Sequence, residues 1–258
     1  MTAVHETGLG GRHALVTGGG RGIGRAIAAA LSSAGADVTV LGRDAGALAA
    51  TVEAREAARH VIADVTDAAA VSAAVSAAVA AGGPVDILIA NAGGAESAAF
   101  LAADDAQFRR MFELNLMGTV HATRAVLAGM VARGFGRIVA VASTAGLKGY
   151  TYVAPYCAAK HAVVGLVRAL AQETAASGVT VNAVCPGFTD TDLVRRSTEL
   201  IAAKTGRSPA DALGTILRDK PLGRLIAPQE VAAAVLFLCM PQASAITGTA
   251  LAIAGGEV

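Results

Sequence analysis

The sequence predicts a doubly wound α/β fold, and two regularities support that prediction. Short apolar runs alternate with helix-length segments along the whole chain. Most of these runs are apolar at successive positions, as expected of strands in a parallel sheet that helices cover on both faces. With 258 residues and no linker or low-complexity tract, the chain is expected to form a single domain over residues 1–258. The seven predicted strands are His13–Thr17, Asp37–Leu41, His60–Ala63, Val85–Ile89, Arg137–Val141, Val179–Ala183 and Thr249–Ile253.

One stretch interrupts the alternation of strands and helices. Residues 188–220, here called the 188–220 segment, separate the sixth strand from a helix near Gln229–Cys239. The segment is too long for an ordinary loop in a compact domain, so it contains helices of its own or works as a functional lid. We predict a substrate lid at about residues 188–220.

Composition and charge exclude several classes of protein. The chain has 21 Lys+Arg against 20 Asp+Glu, which provides no basic stripe for nucleic acid. The longest uncharged run, residues 68–85, is mostly alanine and is broken by glycines and a proline, so no membrane span is predicted. The first residues lack the apolar core of a signal peptide, and a cytoplasmic protein is expected. Cys157, Cys185 and Cys239 show no metal-ligand spacing, so we expect buried thiols and no metal site.

A glycine-rich turn follows the first strand and opens a helix predicted over Arg25–Ala34. Its sequence from position 17 is Thr-Gly-Gly-Gly-Arg-Gly-Ile-Gly. Glycines allow a sharp turn and a close approach to a diphosphate, and a helix N-terminus presents unpaired N–H groups. The turn therefore predicts a dinucleotide site, and the alternative is a tight strand-to-helix turn without a ligand. The candidate cofactor-binding residues of this turn are Gly18, Arg21, Gly22, Ile23 and Gly24.

The end of the second strand indicates which dinucleotide binds. Gly42 stands where an acidic residue would accept the ribose hydroxyls of NAD, and Arg43 follows it. Together with Arg21, Arg43 places two guanidinium groups near the adenosine ribose, which favours a 2′-phosphate and hence NADP(H). NAD(H) stays possible because a loop shift could bring Asp44 to the ribose. Two solvated arginines are the alternative interpretation.

Two further strand ends are expected to line the cofactor crevice. Asp64 and Val65 end the third strand, and Asn91, Ala92 and Gly93 follow the fourth. Ligands of doubly wound sheets bind outside the carboxyl ends of the strands, which is where these residues lie. Taken alone, each would be an ordinary strand-end turn.

The three tyrosines of the chain fall within seven residues after the fifth strand. The last of them, Tyr156, lies one helical turn before Lys160, so the two side chains share one helix face. A nearby ammonium and a helix N-terminus are expected to lower the pKa of the phenol, which would let Tyr156 exchange a proton near neutral pH.

Two polar residues complete this predicted site. Ser143 ends the fifth strand, where its hydroxyl can hydrogen-bond a substrate oxygen. Asn115 lies in a long helical segment, where a buried amide needs a polar partner, and an ordered water running to Lys160 would be one. For Asn115 alone, a purely structural amide is the alternative.

These motifs together resemble the short-chain dehydrogenase/reductases over residues 12–256, including their thirteen-residue interval from Ser143 to Tyr156. The resemblance implies a Rossmann-type seven-stranded sheet of order 3-2-1-4-5-6-7. It also implies that Tyr156 is the general acid/base, Ser143 positions the carbonyl, Lys160 binds the nicotinamide ribose and tunes Tyr156, and Asn115 holds a proton-relay water. Further cofactor contacts that it implies are Pro186, Gly187, Thr189 and Thr191.

The expected reaction is hydride transfer between NADP(H) and a ketone or secondary alcohol. Similarity to polyketide ketoreductases and 3-hydroxyacyl dehydrogenases makes a 3-oxoacyl thioester the first candidate substrate. An NAD-linked alcohol or 3-hydroxyacid dehydrogenase is the alternative, and a non-catalytic dinucleotide-binding protein is a remote one. The expected substrate lining, besides Ser143 and Tyr156, is Gly94, Leu147, Tyr150, Tyr152, Phe188 and Leu193.

Two expectations concern partners. The resemblance and the apolar helix near Gln229–Cys239 predict a homotetramer. Ser177 stands where carrier-protein reductases usually have a basic docking residue, although Arg133 and Arg137 remain as candidate charges. A coenzyme A thioester or free ketone is therefore expected in preference to an acyl-carrier substrate.

Overall fold

A parallel seven-stranded sheet forms the centre of the computed structural model. The structure describes residues 8–206, 208–218 and 220–258, except for the side chains of residues 193, 197, 200, 201, 204 and 205. The strand order is β3-β2-β1-β4-β5-β6-β7, which confirms the predicted fold class and order. The strands are β1 His13–Thr17, β2 Asp37–Gly42, β3 Arg59–Ile62, β4 Val85–Ala90, β5 Gly136–Val141, β6 Val179–Pro186 and β7 Ala250–Ile253.

Helices connect the strands and cover both faces of the sheet. They are α1 Gly22–Ser33, α2 Ala45–Glu53, α3 Ala68–Gly82, α4 Asp105–Phe112, α5 Gly118–Arg133, α6 Ala154–Thr174, α7 Asp192–Thr205, α8 Pro209–Leu217 and α9 Pro228–Cys239. A π-helical turn, Glu113–Met117, joins α4 to α5 without a break. Within the described residues, no helix combines the length and apolar character needed to cross a membrane.

The core consists of two apolar layers, one on each face of the sheet. Neighbouring residues of β1 divide between them: Leu15 packs on the side of α3, α5 and α6, whereas Ala14 and Val16 pack on the side of α1 and α9. Both faces of each central strand are therefore buried, which explains the continuous apolar runs in the sequence. The three cysteines are buried, as predicted.

The predicted strands agree with the observed ones except at their ends. β6 continues three residues beyond its predicted end at Ala183, because β7 pairs alongside it as far as Pro186 and Ile253. Since all the strands are parallel, their carboxyl ends lie at one edge of the sheet. The loops after β1 to β6, which carry most of the candidate site residues, all start there.

The 188–220 segment contains helices of its own, α7 and α8, which pack mainly against each other. The start of the segment is fixed to the body by backbone hydrogen bonds. The N–H of Ile226 donates to the carbonyl oxygen of Phe188 at 2.9 Å, and the N–H of Asp190 donates to that of Ile226 at 2.9 Å. The segment thus leaves the sheet edge and returns to it beside its own starting point.

Candidate active site

The glycine turn after β1 has the backbone that a diphosphate site requires. Gly18 and Gly22 adopt positive φ angles of 66° and 51°, which residues with a Cβ rarely adopt. A Cβ on Gly24 would collide with the carbonyl oxygen of Gly18. Arg21, at the N-cap of α1, makes no side-chain capping bond, so the first N–H groups of the helix remain available to a ligand. These residues fit the diphosphate of a dinucleotide.

Asn91 holds this turn against the end of β4. Its amide nitrogen donates to the carbonyl oxygens of Thr17 at 2.9 Å and Gly18 at 3.3 Å. The backbone N–H groups of Asn91 and Ala92 donate to the hydroxyl of Thr17 at 2.9 and 3.0 Å. The Asn91 side chain therefore shapes the crevice by fixing its wall. The sequence alone could not distinguish this structural role of Asn91 from direct contact with the cofactor.

The two arginines predicted at the adenosine ribose already have carboxylate partners. Arg21 forms an ion pair with Asp44, and Arg43 pairs with Asp64 at 3.3 Å. Both guanidinium groups are exposed, at 57% and 71% of their side chains. Asp64 also accepts from the backbone and hydroxyl of Thr66 at 2.9 and 2.8 Å. The crevice therefore contains two guanidinium groups whose pairs with carboxylates are exposed and weak, so a phosphate can replace the carboxylates as their partner.

The loop after β6 reaches the glycine turn from the other side. A Cβ on Gly22 would lie 3.1 Å from the methyl carbon of Thr191. Thr191 donates to the carbonyl oxygen of Thr189 at 3.2 Å, and Thr189 donates to that of Gly187 at 3.1 Å. Thr191, one of the predicted cofactor contacts, therefore lies beside the start of α1, and Thr189 links it to the loop at Gly187.

Tyr156 and Lys160 lie on one face of α6, as the spacing predicts. The Lys160 ammonium is 5.7 Å from the centre of the Tyr156 ring and donates to the carbonyl oxygen of Val141 at 2.8 Å. Ser143 follows β5 in extended backbone, and its hydroxyl oxygen accepts from the N–H of Ala145 at 3.1 Å. The Ser143 hydroxyl also hydrogen-bonds with Tyr156.

The protonation of this pair differs from the sequence expectation. Burial raises the pKa of Tyr156 to about 12, and a hydrogen bond with Ser143 only partly opposes it. Burial also lowers the pKa of Lys160 to about 8. The expected lowering of the phenol pKa by the ammonium is therefore wrong for the protein alone, because the ammonium is itself desolvated and directed at Val141. The phenol retains its proton at neutral pH and can donate it.

Asn115 lies in the π-helical turn and is fully hydrogen-bonded by backbone groups. Its amide nitrogen donates to the carbonyl oxygens of Gly94 at 2.9 Å and Met111 at 3.0 Å, and its oxygen accepts from the N–H of Gly94 at 3.2 Å. A Cβ on Gly93 would lie 2.7 Å from the Asn115 amide oxygen and 3.5 Å from the Lys160 nitrogen. Asn115 and Lys160 therefore both face the position that a Gly93 side chain would occupy, and no side chain fits there.

The described residues predicted to line the substrate pocket do not form one continuous wall. Tyr150 and Phe188 meet edge to face with ring centres 6.0 Å apart. Tyr152 is 67% exposed and does not form a buried wall. Gly94 adjoins Asn115, and Leu147 packs on the apolar core. The side chain of Leu193 lies outside the described residues.

The hydroxyl of Tyr150, one of the expected substrate-lining residues, is hydrogen-bonded within the protein. It donates its single proton to the carboxylate of Glu257 and accepts a hydrogen bond from the hydroxyl of Thr144, with the two hydroxyl oxygens 2.7 Å apart. Burial, followed by the Glu257 carboxylate, raises the pKa of Tyr150 above its ordinary value. Glu257 was not predicted as a site residue, since it lies 107 positions from Tyr150 in a segment without a recognisable motif.

The two arginines kept as candidate docking charges are engaged elsewhere. Arg137 is buried, donates to the carbonyl oxygens of Gly136 and Gly178 at 2.9 and 3.3 Å, and has its pKa lowered by burial. Arg133 donates to the carbonyl oxygen of Val85 at 2.7 Å. Neither guanidinium is a free surface charge for an acidic carrier protein.

The sequence and the site together define the class of this protein. The family model described as short chain dehydrogenase matches residues 12–201. The chain belongs to the short-chain dehydrogenase/reductase family and is an oxidoreductase that acts on carbonyl and alcohol groups. A non-catalytic dinucleotide-binding protein is therefore not retained as an alternative.

Individual relatives resemble the chain over nearly its full length. It is 39% identical to an acetoacetyl-CoA reductase of Rhizobium meliloti, over 95% of this chain and 98% of the relative. It is 37% identical to a 3-oxoacyl-(acyl-carrier-protein) reductase of Vibrio harveyi, over 96% and 98% of the two chains. A crystal structure of actinorhodin polyketide ketoreductase with NADPH superposes with a TM-score of 0.92 at 39% identity, covering 95% of this chain and 97% of the other.

Proposed function

We propose that this enzyme reduces a 3-oxoacyl thioester or a related ketone to a secondary alcohol with NADPH. The observation that carries the proposal is the convergence at one sheet edge of a protonated phenol, a serine hydroxyl hydrogen-bonded with it and a buried lysine, all beside a dinucleotide turn. Tyr156, Ser143 and Lys160 provide these groups. Related reductases act on acetoacetyl-CoA and 3-oxoacyl substrates, which supports the substrate class.

The chain's own residues supply the proton and the orientation of the carbonyl. The Ser143 hydroxyl donates a hydrogen bond to the carbonyl oxygen, and Tyr156 delivers its proton to that oxygen as negative charge develops. The phenol is protonated at neutral pH, as reduction of the carbonyl requires. NADPH, when bound, supplies the hydride. Lys160 binds the nicotinamide ribose and stabilises the phenolate left on Tyr156, and Asn115 fixes the backbone at Gly94 beside it.

Two features support the finer assignments of cofactor and substrate. Arg21 and Arg43 offer exposed guanidinium groups for a 2′-phosphate, and a neighbouring ketoreductase was solved with NADPH. Position 177 is a serine, Arg137 is buried, and Arg133 is engaged by Asp86 and the carbonyl oxygen of Val85. We therefore favour a coenzyme A thioester or free ketone over a carrier-bound substrate. An NAD-linked 3-hydroxyacid dehydrogenase is the alternative, supported by 37% identity to a D-beta-hydroxybutyrate dehydrogenase of Cupriavidus necator.

The assembly and the 188–220 segment belong to the same proposal. α9 leaves Phe237 49% exposed, and the edge strand β7 leaves Leu251 37% exposed. Apolar groups of this kind on neighbouring elements favour a subunit interface, and we propose a homotetramer. The 188–220 segment, which starts at Phe188 beside Tyr150, is proposed as the substrate lid of a single 1–258 domain.

Substituting Tyr156→Phe tests the proton-transfer role, because it removes the hydroxyl and keeps the ring. We expect kcat for ketone reduction to fall at least about 100-fold, the usual contribution of a general acid, with NADPH affinity nearly unchanged. Thr174→Val is the matched control, since it removes a hydroxyl from the far end of the same helix. A Tyr156→Phe enzyme that retains more than about a tenth of wild-type kcat would exclude the phenol as the general acid.

A further inference from the structure

We propose that Glu257 is a positioning residue that ties the 188–220 segment to the loop preceding Tyr156 and thereby sets the substrate entrance. The inference rests on the proposed function of the site, because it assigns the entrance to a carbonyl substrate. Glu257 makes its contacts to Lys148 and Tyr150 on the loop and to Lys220 at the end of the segment.

The backbone after β7 is built to bury this glutamate. Gly255 and Gly256 both have positive φ angles, 57° and 85°, and turn the chain back towards the site. A Cβ on Gly255 would lie 2.5 Å from the Cβ of Leu222, so the turn packs directly on the residues that follow the 188–220 segment. The Glu257 side chain is consequently only 2% exposed.

The buried carboxylate joins three separate parts of the chain. One oxygen of Glu257 lies 3.2 Å from the Lys148 ammonium and also pairs with Lys220 and the hydroxyl of Tyr150. The Lys148 ammonium donates in addition to the backbone carbonyl oxygen of Glu257 at 3.0 Å. A Cβ on Gly187 would lie 3.2 Å from the second carboxylate oxygen. Glu257 therefore also adjoins the loop that leaves β6.

Charge makes the carboxylate indispensable to this arrangement. The ammonium groups of Lys148 and Lys220 each lie 5.2 Å from the centre of the Tyr150 ring. Among the described residues, Glu257 is the acidic partner of both ammonium groups. Burial would raise the pKa of Glu257, but its hydrogen bonds from Lys220 and Tyr150 outweigh burial and hold it below the ordinary range. A neutral side chain at position 257 leaves two neighbouring cations without their anion.

Loss of the carboxylate acts on the entrance and not on proton transfer. None of its contacts involves Ser143, Tyr156 or Lys160. Its partner Tyr150 packs against Phe188, at the start of the 188–220 segment, and Lys220 lies at the other end. Because α7 and α8 pack mainly on each other, contacts at the two ends of the segment set its position over the site.

The test compares Glu257→Gln with wild type in steady-state kinetics on acetoacetyl-CoA and in hydrogen exchange of residues 188–220. If the arrangement in which Glu257 holds the 188–220 segment falls to about a fifth of the population, KM rises about fivefold while kcat stays within about threefold of wild type. Exchange in the segment becomes faster at the same time. Glu56→Gln is the matched control, since it weakens an ion pair to Arg25 that touches neither the segment nor the loop, and it should leave both readouts unchanged.

A second variant keeps the proposal testable if Glu257→Gln folds poorly. Lys220→Met removes the partner on the segment and should reproduce the KM rise and the faster exchange. In the double variant the two KM effects should combine to less than their product, because both break the same contact. A KM within about twofold of wild type with unchanged exchange, or fully multiplicative effects, would overturn the proposal. If the wild type reduces no carbonyl compound, the proposed function fails, whereas the exchange measurement still decides whether Glu257 holds the segment.

Discussion

Cofactor preference gives the sharpest test of the crevice, and Gly42→Asp combined with Arg43→Ala is the perturbation. A Cβ on Gly42 would lie 3.6 Å from the nearest carbon of Leu48, an ordinary van der Waals contact. The aspartate is therefore accommodated at the end of β2, where an acidic residue accepts ribose hydroxyls. The same substitution pair removes one guanidinium group and places a carboxylate beside the expected position of the 2′-phosphate.

The expected magnitude follows from the exposure of the two arginines. A charge-assisted hydrogen bond to phosphate contributes about 1.5–3 kcal/mol when protected from water. With Arg21 and Arg43 exposed at 57% and 71%, about 1 kcal/mol for each is a realistic contribution. Their present pairs with Asp44 and Asp64 are exposed to water and add little to stability, so a 2′-phosphate can replace the carboxylates. The wild type should thus prefer NADPH by about tenfold, since 1.4 kcal/mol is tenfold in Kd.

Fluorescence titration of NADPH and NADH into both proteins measures this preference. The double variant should bind NADH at least as tightly as NADPH, and the wild-type preference should shrink as salt is raised. Arg109→Ala is the control, since it removes an exposed arginine paired with Asp105 on α4 and should leave the ratio of the two Kd values unchanged. Equal Kd values for NADPH and NADH in the wild type would refute the assignment of the two arginines.

Two further predictions concern the catalytic end. Gly93→Ala should reduce kcat at least about tenfold and destabilise the fold by about 1–3 kcal/mol, because its methyl group meets the Asn115 amide oxygen. Steady-state kinetics and urea unfolding measure the two effects. Gly165→Ala, with open space around its Cβ, is the control and should change neither kcat nor the free energy of unfolding in this way. Burial lowers the pKa of Lys160 from 10.5 in the unfolded chain to about 8 in the fold, so the unfolded chain binds more protons between these values and stability rises with pH. The free energy of unfolding of wild type, relative to Lys160→Met, should increase by about 1–2 kcal/mol from pH 8 to 9.5, and a flat difference would contradict the lowered pKa of Lys160.

The fold could be predicted from the sequence because its signals are local. Both faces of the central strands are buried, so each strand is a short apolar run that can be recognised without its neighbours, as in Val85–Ala90. The position of Tyr156 and Lys160 on one helix face likewise follows from a spacing of four residues. Features determined within one strand, turn or helix therefore needed no tertiary information.

The contacts that could not be predicted join residues far apart in the chain. Arg21 pairs with Asp44, 23 positions away, and Tyr150 meets Glu257, 107 positions away. The direction of the Tyr156 pKa shift depends on burial and on where the Lys160 ammonium points, and neither follows from spacing. Side-chain partners across the fold decide these properties, whereas sequence patterns report on one element at a time.

The π-helical turn Glu113–Met117 has a consequence for how this region tolerates insertions and deletions. A π turn carries one residue more than an α turn, so α4 and α5 behave as one helix that has absorbed a single-residue insertion. One residue corresponds to about 100° of rotation around the helix axis. Deleting a residue here would restore a regular α-helix and rotate Gln107 and Met111, the buried residues of α4, away from α6. The length of this short turn is therefore fixed, whatever side chains it carries.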